Sequence, residues 1–379
     1  MVSEGLTSTR SSPPRTQDAK AYNRIKLALG ITSSLLSFAL LVTLVTTPAG
    51  RSIAAWCTSV SPNPYGALLL FACAVGVLQS TLTLPLSWYS GYIVEHRFAL
   101  SNQSPPQWAL ERLKGLALGA PLAAGVFCIL YYSLGTFGHL WWLPVGTAMT
   151  LISVVLVRIA PVLIMPLFYR FTPIDDGTLK ERILGLCARA GVHVEGVFSF
   201  NLSKNTRKAN AAFTGIGRSR RIILGDTLMS SFSEEEIETV FAHELGHYRY
   251  GHIRSGIIIG TVSTFAGLFF AARLYETSAA ALNFASVTDL AALPLLAIWL
   301  SLFGLVTSPI GNVISRRHER QADAYAVRTT GMRDAFTSAL RKLSAMNLAD
   351  PDPHPVVEFM FYSHPPVAKR IRALEPNQS

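Results

Sequence analysis

His243 and His247 stand four residues apart in the stretch Phe241-Ala242-His243-Glu244-Leu245-Gly246-His247, with Glu244 between them. On an α-helix this spacing stacks both imidazoles on one face, one turn apart, where they can ligate the same ion. Imidazole nitrogens suit zinc, and a carboxylate beside the ion can take the proton of a water that the ion polarises. The arrangement implies metal-assisted hydrolysis and matches the pattern of metal-dependent peptidases. The plain alternative is a surface helix that happens to carry two histidines.

Two histidines leave a catalytic zinc one protein ligand short. The run from Asn312 to Asp323 offers candidates: Glu319 and Asp323 are four apart and Asn312 lies seven before Glu319, so all three fall near one helical face. Glu319 could bind the ion, while Asp323 could accept the N–H of a ligating histidine and fix its ring. His318 is a rival donor on a different face, and a charged helix end is the plain reading. Further on, Ser363-His364-Pro365-Pro366 holds a histidine in a chain stiffened by two prolines. His364 could donate to a developing oxyanion, with Arg370 supporting it or binding a carboxylate; a turn before the last helix is the alternative. His252 and His354 fall in no such pattern and read as structural.

Such side chains need rigid carriers. Ser233-Glu234-Glu235-Glu236 is a capping box, and Ile237, Val240 and Phe241 continue as a helical apolar stripe, so the histidine pair sits about three turns into a helix. Upstream, residues 168–254 form a water-soluble insertion that reads as α+β. The spacing predicts a helix over 179–190 stopped by Gly191, a strand over 192–200, and strands at 209–214 and 221–224 around a turn at Gly215-Ile216-Gly217-Arg218. A hairpin with its free edge towards the metal would let a substrate peptide add as one more strand; a purely structural hairpin is the alternative.

The rest of the chain is membrane-like. Charged residues make up 15% of the 379, against about 25% in soluble proteins, and half the chain is apolar. Six stretches can span a bilayer: 27–46, 65–86, 115–134, 141–157, 255–274 and 290–310. The fourth can continue through Pro161 and Pro166 towards Tyr169 as a kinked helix. Residues 1–26 are polar and read as a disordered tail, 27–167 as a membrane domain of four spans, and 168–379 as a catalytic domain with two spans and C-terminal cytoplasmic helices. Residues 91–103 read as a solvated connector.

The net charge of +10 is distributed by topology: segments on one side of the six spans hold 31 of the 33 Lys and Arg. The positive-inside rule then places both termini and the histidine pair in the cytoplasm. No basic-aromatic motif accompanies the charge, which argues against a nucleic-acid partner. The cysteines, at 57, 73, 128 and 187, are scattered and form no CxxC, so neither a disulfide framework nor a cysteine metal site is implied. A transporter would carry paired ionisable groups at mid-membrane, which the spans lack. A structural zinc scaffold would fill all four ligand positions with protein.

Taken together, the chain resembles the integral-membrane type I CAAX prenyl proteases, zinc metalloendopeptidases of the gluzincin kind. The residues that carry the likeness run in order from Pro85 to Leu374: GYIVEHRFALSNQ, PLFYRFTPI, NAAFTG with RIILGDTL, FAHELGH, SRRHERQAD and SHPPVAKR. The resemblance implies a mainly α polytopic membrane protein with a cytoplasmic α+β zincin-like domain. It also implies one zinc on His243, His247 and Glu319, Glu244 as catalytic glutamate, Asp323 behind a ligand, and auxiliary roles for Asn312, His364 and Arg370. The implied partners are membrane lipids and isoprenylated peptide or protein substrates cut near their C-termini. Six spans depart from the seven of eukaryotic members. Bacterial membrane quality-control zinc proteases share the HExxH and HPP features and offer a second substrate reading.

Overall fold

The computed structural model describes residues 14–174, 177–214 and 221–375. Six helical segments are long and apolar enough to cross a membrane: Thr16–Thr46, Pro64–Arg97, Pro105–Thr136, Gly138–Phe168, His252–Ala281 and Leu290–Thr330. The first three helices are α1 (Pro14–Thr46), α2 (Pro48–Val60) and α3 (Pro64–Trp88). With 13 residues and a length of about 20 Å, α2 is too short to span. A π-helical turn, Tyr89–Val94, carries α3 into α4 (Glu95–Arg97). After α5 (Pro105–Thr136), α6 (Trp142–Ile159) passes through a second π-turn, Ala160–Ile164, into α7 (Met165–Phe168). Pro161 lacks the N–H that a regular ladder requires, so the fourth span continues as a kinked helix to Phe168.

The water-facing portion begins with β1 (Phe171–Pro173), α8 (Thr178–Arg189), β2 (Gly196–Phe200), β3 (Ala211–Thr214), β4 (Arg221–Gly225) and α9 (Asp226–Ser231). The four strands form one sheet in the order β1-β2-β4-β3, with β2 and β4 parallel and the outer pairs antiparallel. Ile222 and Leu224 of β4 point into a core shared with α8 and the later helices, whereas Ile223 and Phe200 meet Met165 and Tyr169 on the other face. β3 is an edge strand. The chain then forms α10 (Glu234–Arg249), α11 (His252–Ala281), α12 (Leu293–Thr330), α13 (Arg333–Met346), α14 (Pro355–Phe361) and α15 (Val367–Leu374).

Three expectations change. Residues 14–26 are not part of a disordered tail but the first turns of α1, because distant groups hold them: Asn23 donates to the Leu348 carbonyl at 2.6 Å, and the Tyr22 hydroxyl donates to Glu95 at 2.6 Å. Residues 91–103 are not a loose connector either. They are helical as far as Arg97, and then pair with the catalytic portion through Arg207 N–H to Leu100 O (2.9 Å) and Asn102 N–H to Asn205 O (3.1 Å). The strand expected from 192 starts at Gly196, since Val192 N–H closes the end of α8 on Cys187 O after Gly191 turns the chain at φ 66°. The turn expected at 215–218 lies outside the described residues.

Glu95 is the node of this brace, for it also meets Lys26 at 3.1 Å and Lys208 at 2.9 Å, the latter three residues before β3. Replacing Glu95 by Ala leaves two ammoniums and a phenol without their shared acceptor. Because the lysines are a third exposed, the expected loss is about 2 kcal/mol rather than the ~3–5 of a fully buried pair. A thermal midpoint of the detergent-solubilised variant several degrees below that of the unmodified protein is the expected result, and an unchanged midpoint would refute the brace.

Candidate metal centre

α10 starts where its sequence says it should. Ser233 Oγ accepts from Glu236 N–H at 3.3 Å and Glu236 accepts from Ser233 N–H at 2.8 Å, closing the capping box. The same carboxylate takes hydrogen bonds from Lys342 and Ser338 of α13, both 2.6 Å, which fixes the helix start. Ile237, Val240, Phe241, Ala242 and Leu245 are buried against the sheet and neighbouring helices. Phe241 and Leu245, at 1% and 0% exposure, contribute on the order of 2 kcal/mol each. The remaining face presents His243, Glu244 and His247 to a cavity of about 600 Å³ that is also lined by Glu319, His364, Arg370 and Ala211.

The approach of α12 decides the geometry. Gly246 packs directly on it: a Cβ there would lie 3.1 Å from Ala322 Cα and 3.2 Å from Tyr325 Cβ. This contact brings Glu319 within 3.2 Å of His247 Nε2 and 3.5 Å of His243 Nε2, while the two Nε2 atoms are 3.1 Å apart. Ligands about 2.0–2.1 Å from a tetrahedral zinc are separated by roughly 3.3–3.4 Å, so the three donors fit one ion. The donor set has a second feature of a cation site. Glu319 is 4% exposed and its Oε2 has no hydrogen-bond partner, a costly condition that a bound cation relieves.

Behind the donors, Asp323 Oδ1 lies 2.8 Å from His243 Nδ1, so His243 donates there and turns its Nε2 lone pair to the site. Arg370 grips Asp323 with two bonds, 2.8 and 2.5 Å, and its Nη1 is 3.7 Å from Glu319 Oε2. Burial works against the Arg370 charge, yet its bonds to Asp323 raise its pKa overall. Burial pushes the Glu244 carboxyl pKa up, with the nearby histidines opposing, which suits a group that must accept a proton. Burial would lower the His247 pKa, but the Glu319 carboxylate overrides it upward.

His364 stands on the cavity rim, largely exposed, with Nε2 3.4 Å from Glu319 Oε1 and Nδ1 2.9 Å from Ser363 Oγ. Asn312 is placed differently from the other candidates, away from the cavity lining. It donates to Met360 O at 2.8 Å, while Arg316 donates to Glu358 O (3.0 Å) and Tyr362 O (2.5 Å). Both therefore clamp α14 and the turn that delivers His364. Of the two readings of Arg370, support for His364 or binding of a carboxylate, the second meets a side chain already bonded to Asp323.

Sequence reasoning missed His252. Gly251, at φ 68°, reverses the chain after α10 and returns His252 to 2.9 Å from His247 Nδ1, Nδ1 to Nδ1. The signal was a histidine five residues after a ligand, but helical periodicity stops where the helix does. His318, the rival donor, is stacked on His252 with ring centroids 4.0 Å apart and is not among the three donors.

The chain is similar to known membrane metalloproteases. A family model described as peptidase family M48 matches residues 173–378, and one described as CAAX prenyl protease N-terminal, five membrane helices, matches residues 8–170. Among the described residues of that second range, four helical segments are candidate spans. A Bacillus subtilis protein named uncharacterized metalloprotease YhfN is 28% identical over 371 residues, covering 97% of this chain and 87% of the relative. CAAX prenyl protease 1 of Saccharomyces cerevisiae is 32% identical over 330 residues, covering 80% of this chain and 71% of the relative. The crystal structure of S. mikatae Ste24p superposes with a TM-score of 0.85 at 26% identity, covering 98% of this chain and 91% of that one.

Because Gly246 sets the distance between the histidines and Glu319, Gly246→Val is expected to wedge α10 from α12 and weaken binding of a divalent metal about tenfold or more. Metal content of the purified variant after dialysis checks this; unaltered retention would show that the close contact is dispensable.

Proposed function

The chain belongs to peptidase family M48, the family of the CAAX prenyl proteases, and is an integral-membrane metalloprotease; from that premise we propose that it is a zinc-dependent endopeptidase working at a cytoplasm-facing site. The observation that carries the reading is the convergence of His243, His247 and Glu319 on one point, with Glu244 beside it in the same cavity. These three residues would hold one zinc per chain. When bound, the ion would supply Lewis acidity, which lowers the pKa of a water towards about 7 and stabilises negative charge on a carbonyl oxygen.

The chain's own residues supply the rest. Glu244 takes a proton from the attacking water and returns it to the departing amine, a role matched to its raised pKa. His364, on the rim 3.4 Å from Glu319 Oε1, would donate to the oxygen on which negative charge develops. Asp323 orients His243, and Arg370 keeps Asp323 ionised and in place.

The edge strand β3 can position a substrate backbone. The Gly225 N–H bonds to Asn210 O, so the antiparallel alternation turns Ala212 and Thr214 towards β4 and leaves the polar backbone groups of Ala211 and Phe213 facing outward. Ala211 lines the same cavity as Glu244. An extended peptide added here would lie across the metal position.

The excess of Lys and Arg on one side supports cytoplasmic termini and a cytoplasmic site. As substrate we infer a C-terminal segment bearing an isoprenoid, as the names of the yeast and other relatives suggest. The most apolar windows of α5 and α6 hold no fully buried residue, which leaves apolar surface along both helices for lipid or for an isoprenoid chain.

Glu244→Gln is expected to retain zinc and lose nearly all turnover, whereas Glu319→Ala should lose both. Terminal peptides from membranes holding the unmodified protein or the Glu244 variant, compared by mass spectrometry, identify the substrate and test the reading; equal cleavage by the two would end it. Separately, Ala211→Pro removes an outward-facing N–H without breaking the β3–β4 ladder. It is expected to reduce cleavage of extended peptides at least tenfold with folding and metal retained, and wild-type rates would reject strand addition.

A further inference from the structure

The two histidine donors are supported unequally. His243 has an ionised carboxylate behind it, while His247 has a second imidazole: His247 Nδ1 and His252 Nδ1 are 2.9 Å apart. Two ring nitrogens facing each other share one proton, so either can be the donor, and the far side of His252 decides which. His252 Nε2 lies 3.0 Å from Gln321 Oε1, an acceptor only. The His252 proton therefore sits on Nε2, its Nδ1 presents a lone pair, and His247 must donate to it from Nδ1. That leaves the His247 Nε2 lone pair aimed at the site, 3.2 Å from Glu319 and 3.1 Å from His243 Nε2.

The reverse arrangement cannot ligate. If the Gln321 amide turned its NH₂ to His252, the His252 proton would move to Nδ1, and His247 would carry its own proton on Nε2, facing the metal. The stacking of His318 on His252, 4.0 Å between centroids and 11° between planes, holds the intermediate ring in the plane that the relay needs. Both His318 and Gln321 lie on α12, which also carries Glu319 and Asp323, so one helix bears a ligand and the support for both histidines.

We propose that His252, oriented by Gln321, is a positioning residue that keeps His247 in its ligand-competent tautomer. This rests on the zinc reading of the site. The test measures zinc affinity of the purified full-length protein in detergent by competition with a chromogenic chelator, together with cleavage.

His252→Ala is expected to weaken zinc binding about 10–100-fold, the usual cost of losing the partner behind a ligating histidine. His252→Asn, whose side-chain oxygen can accept at nearly the same place, should recover affinity to within about threefold of the unmodified protein. Gln321→Glu, still an acceptor, should bind zinc at least as tightly as the unmodified protein, and Gln321→Ala should be weaker. Unfolding of His252→Ala, seen as aggregation on size exclusion, leaves the Gln321 pair to decide. Equal affinity in folded His252→Ala and the unmodified protein would overturn the proposal, as would equal affinity in Gln321→Glu and Gln321→Ala. Absence of zinc binding by the unmodified protein would instead overturn the metal reading itself.

Discussion

The close contact of α10 and α12 at Gly246 and Ala322 is the constraint on which the candidate site depends. Each helix alone carries an incomplete set of donors. A separation even one methyl group larger would take Glu319 out of reach of two imidazoles that it now approaches at 3.2 and 3.5 Å. Packing, rather than any strong bond, maintains that distance: the apolar face of α10 is buried against the sheet and α13, so it cannot drift away from α12 without exposing Phe241 and Leu245.

Charge balance points the same way as distance. Glu244 and Glu319 line the cavity, while Asp323 behind His243 is matched by the positive charge of Arg370, all in a region largely removed from water. The deficit of two charges equals the charge of one divalent cation. In a medium of low dielectric an uncompensated pair of negative charges is expensive, and Glu319 Oε2, which accepts no hydrogen bond, marks where compensation is directed. Asp323 and Arg370 neutralise each other and hold His243, which leaves the Glu319 carboxylate without a full counter-charge of its own.

How much of this was legible in the sequence follows from the range of each interaction. The six spans, the capped start of α10 and the kinked extension of α6 depend on residues within a few turns of one another, and periodicity and proline placement expose them. Glu319 and Asp323 stood out because a second helix displayed the right residue types at the right spacing. Sequence reasoning failed where partners are far apart in the chain. Tyr22 and Asn23 looked like part of a polar tail because Glu95 and Leu348 are 73 and 325 residues away. Asn312 fell on the right helical face, but its distance along α12 takes it to α14 rather than to the cavity. His252 was hidden because Gly251 interrupts the helix whose repeat would have revealed it.

α12 joins the membrane to the chemistry. Its 38 residues extend about 57 Å, well beyond the ~30 Å of hydrocarbon, so its C-terminal half projects as a rigid post. Glu319 lies nine residues past Ile310, the end of the apolar stretch, and so about 13 Å further along the same axis. On that projecting half, Arg316 and Asn312 hold α14 and the turn that carries His364. The Glu95 brace ties α1, α4 and the segment leading into β3 to the same end of the bundle. The three candidate donors, the rim histidine and the edge strand thus border one cavity beside the projecting half of α12. A single continuous helix couples the membrane-crossing segment to the cavity, so a displacement of one is carried to the other.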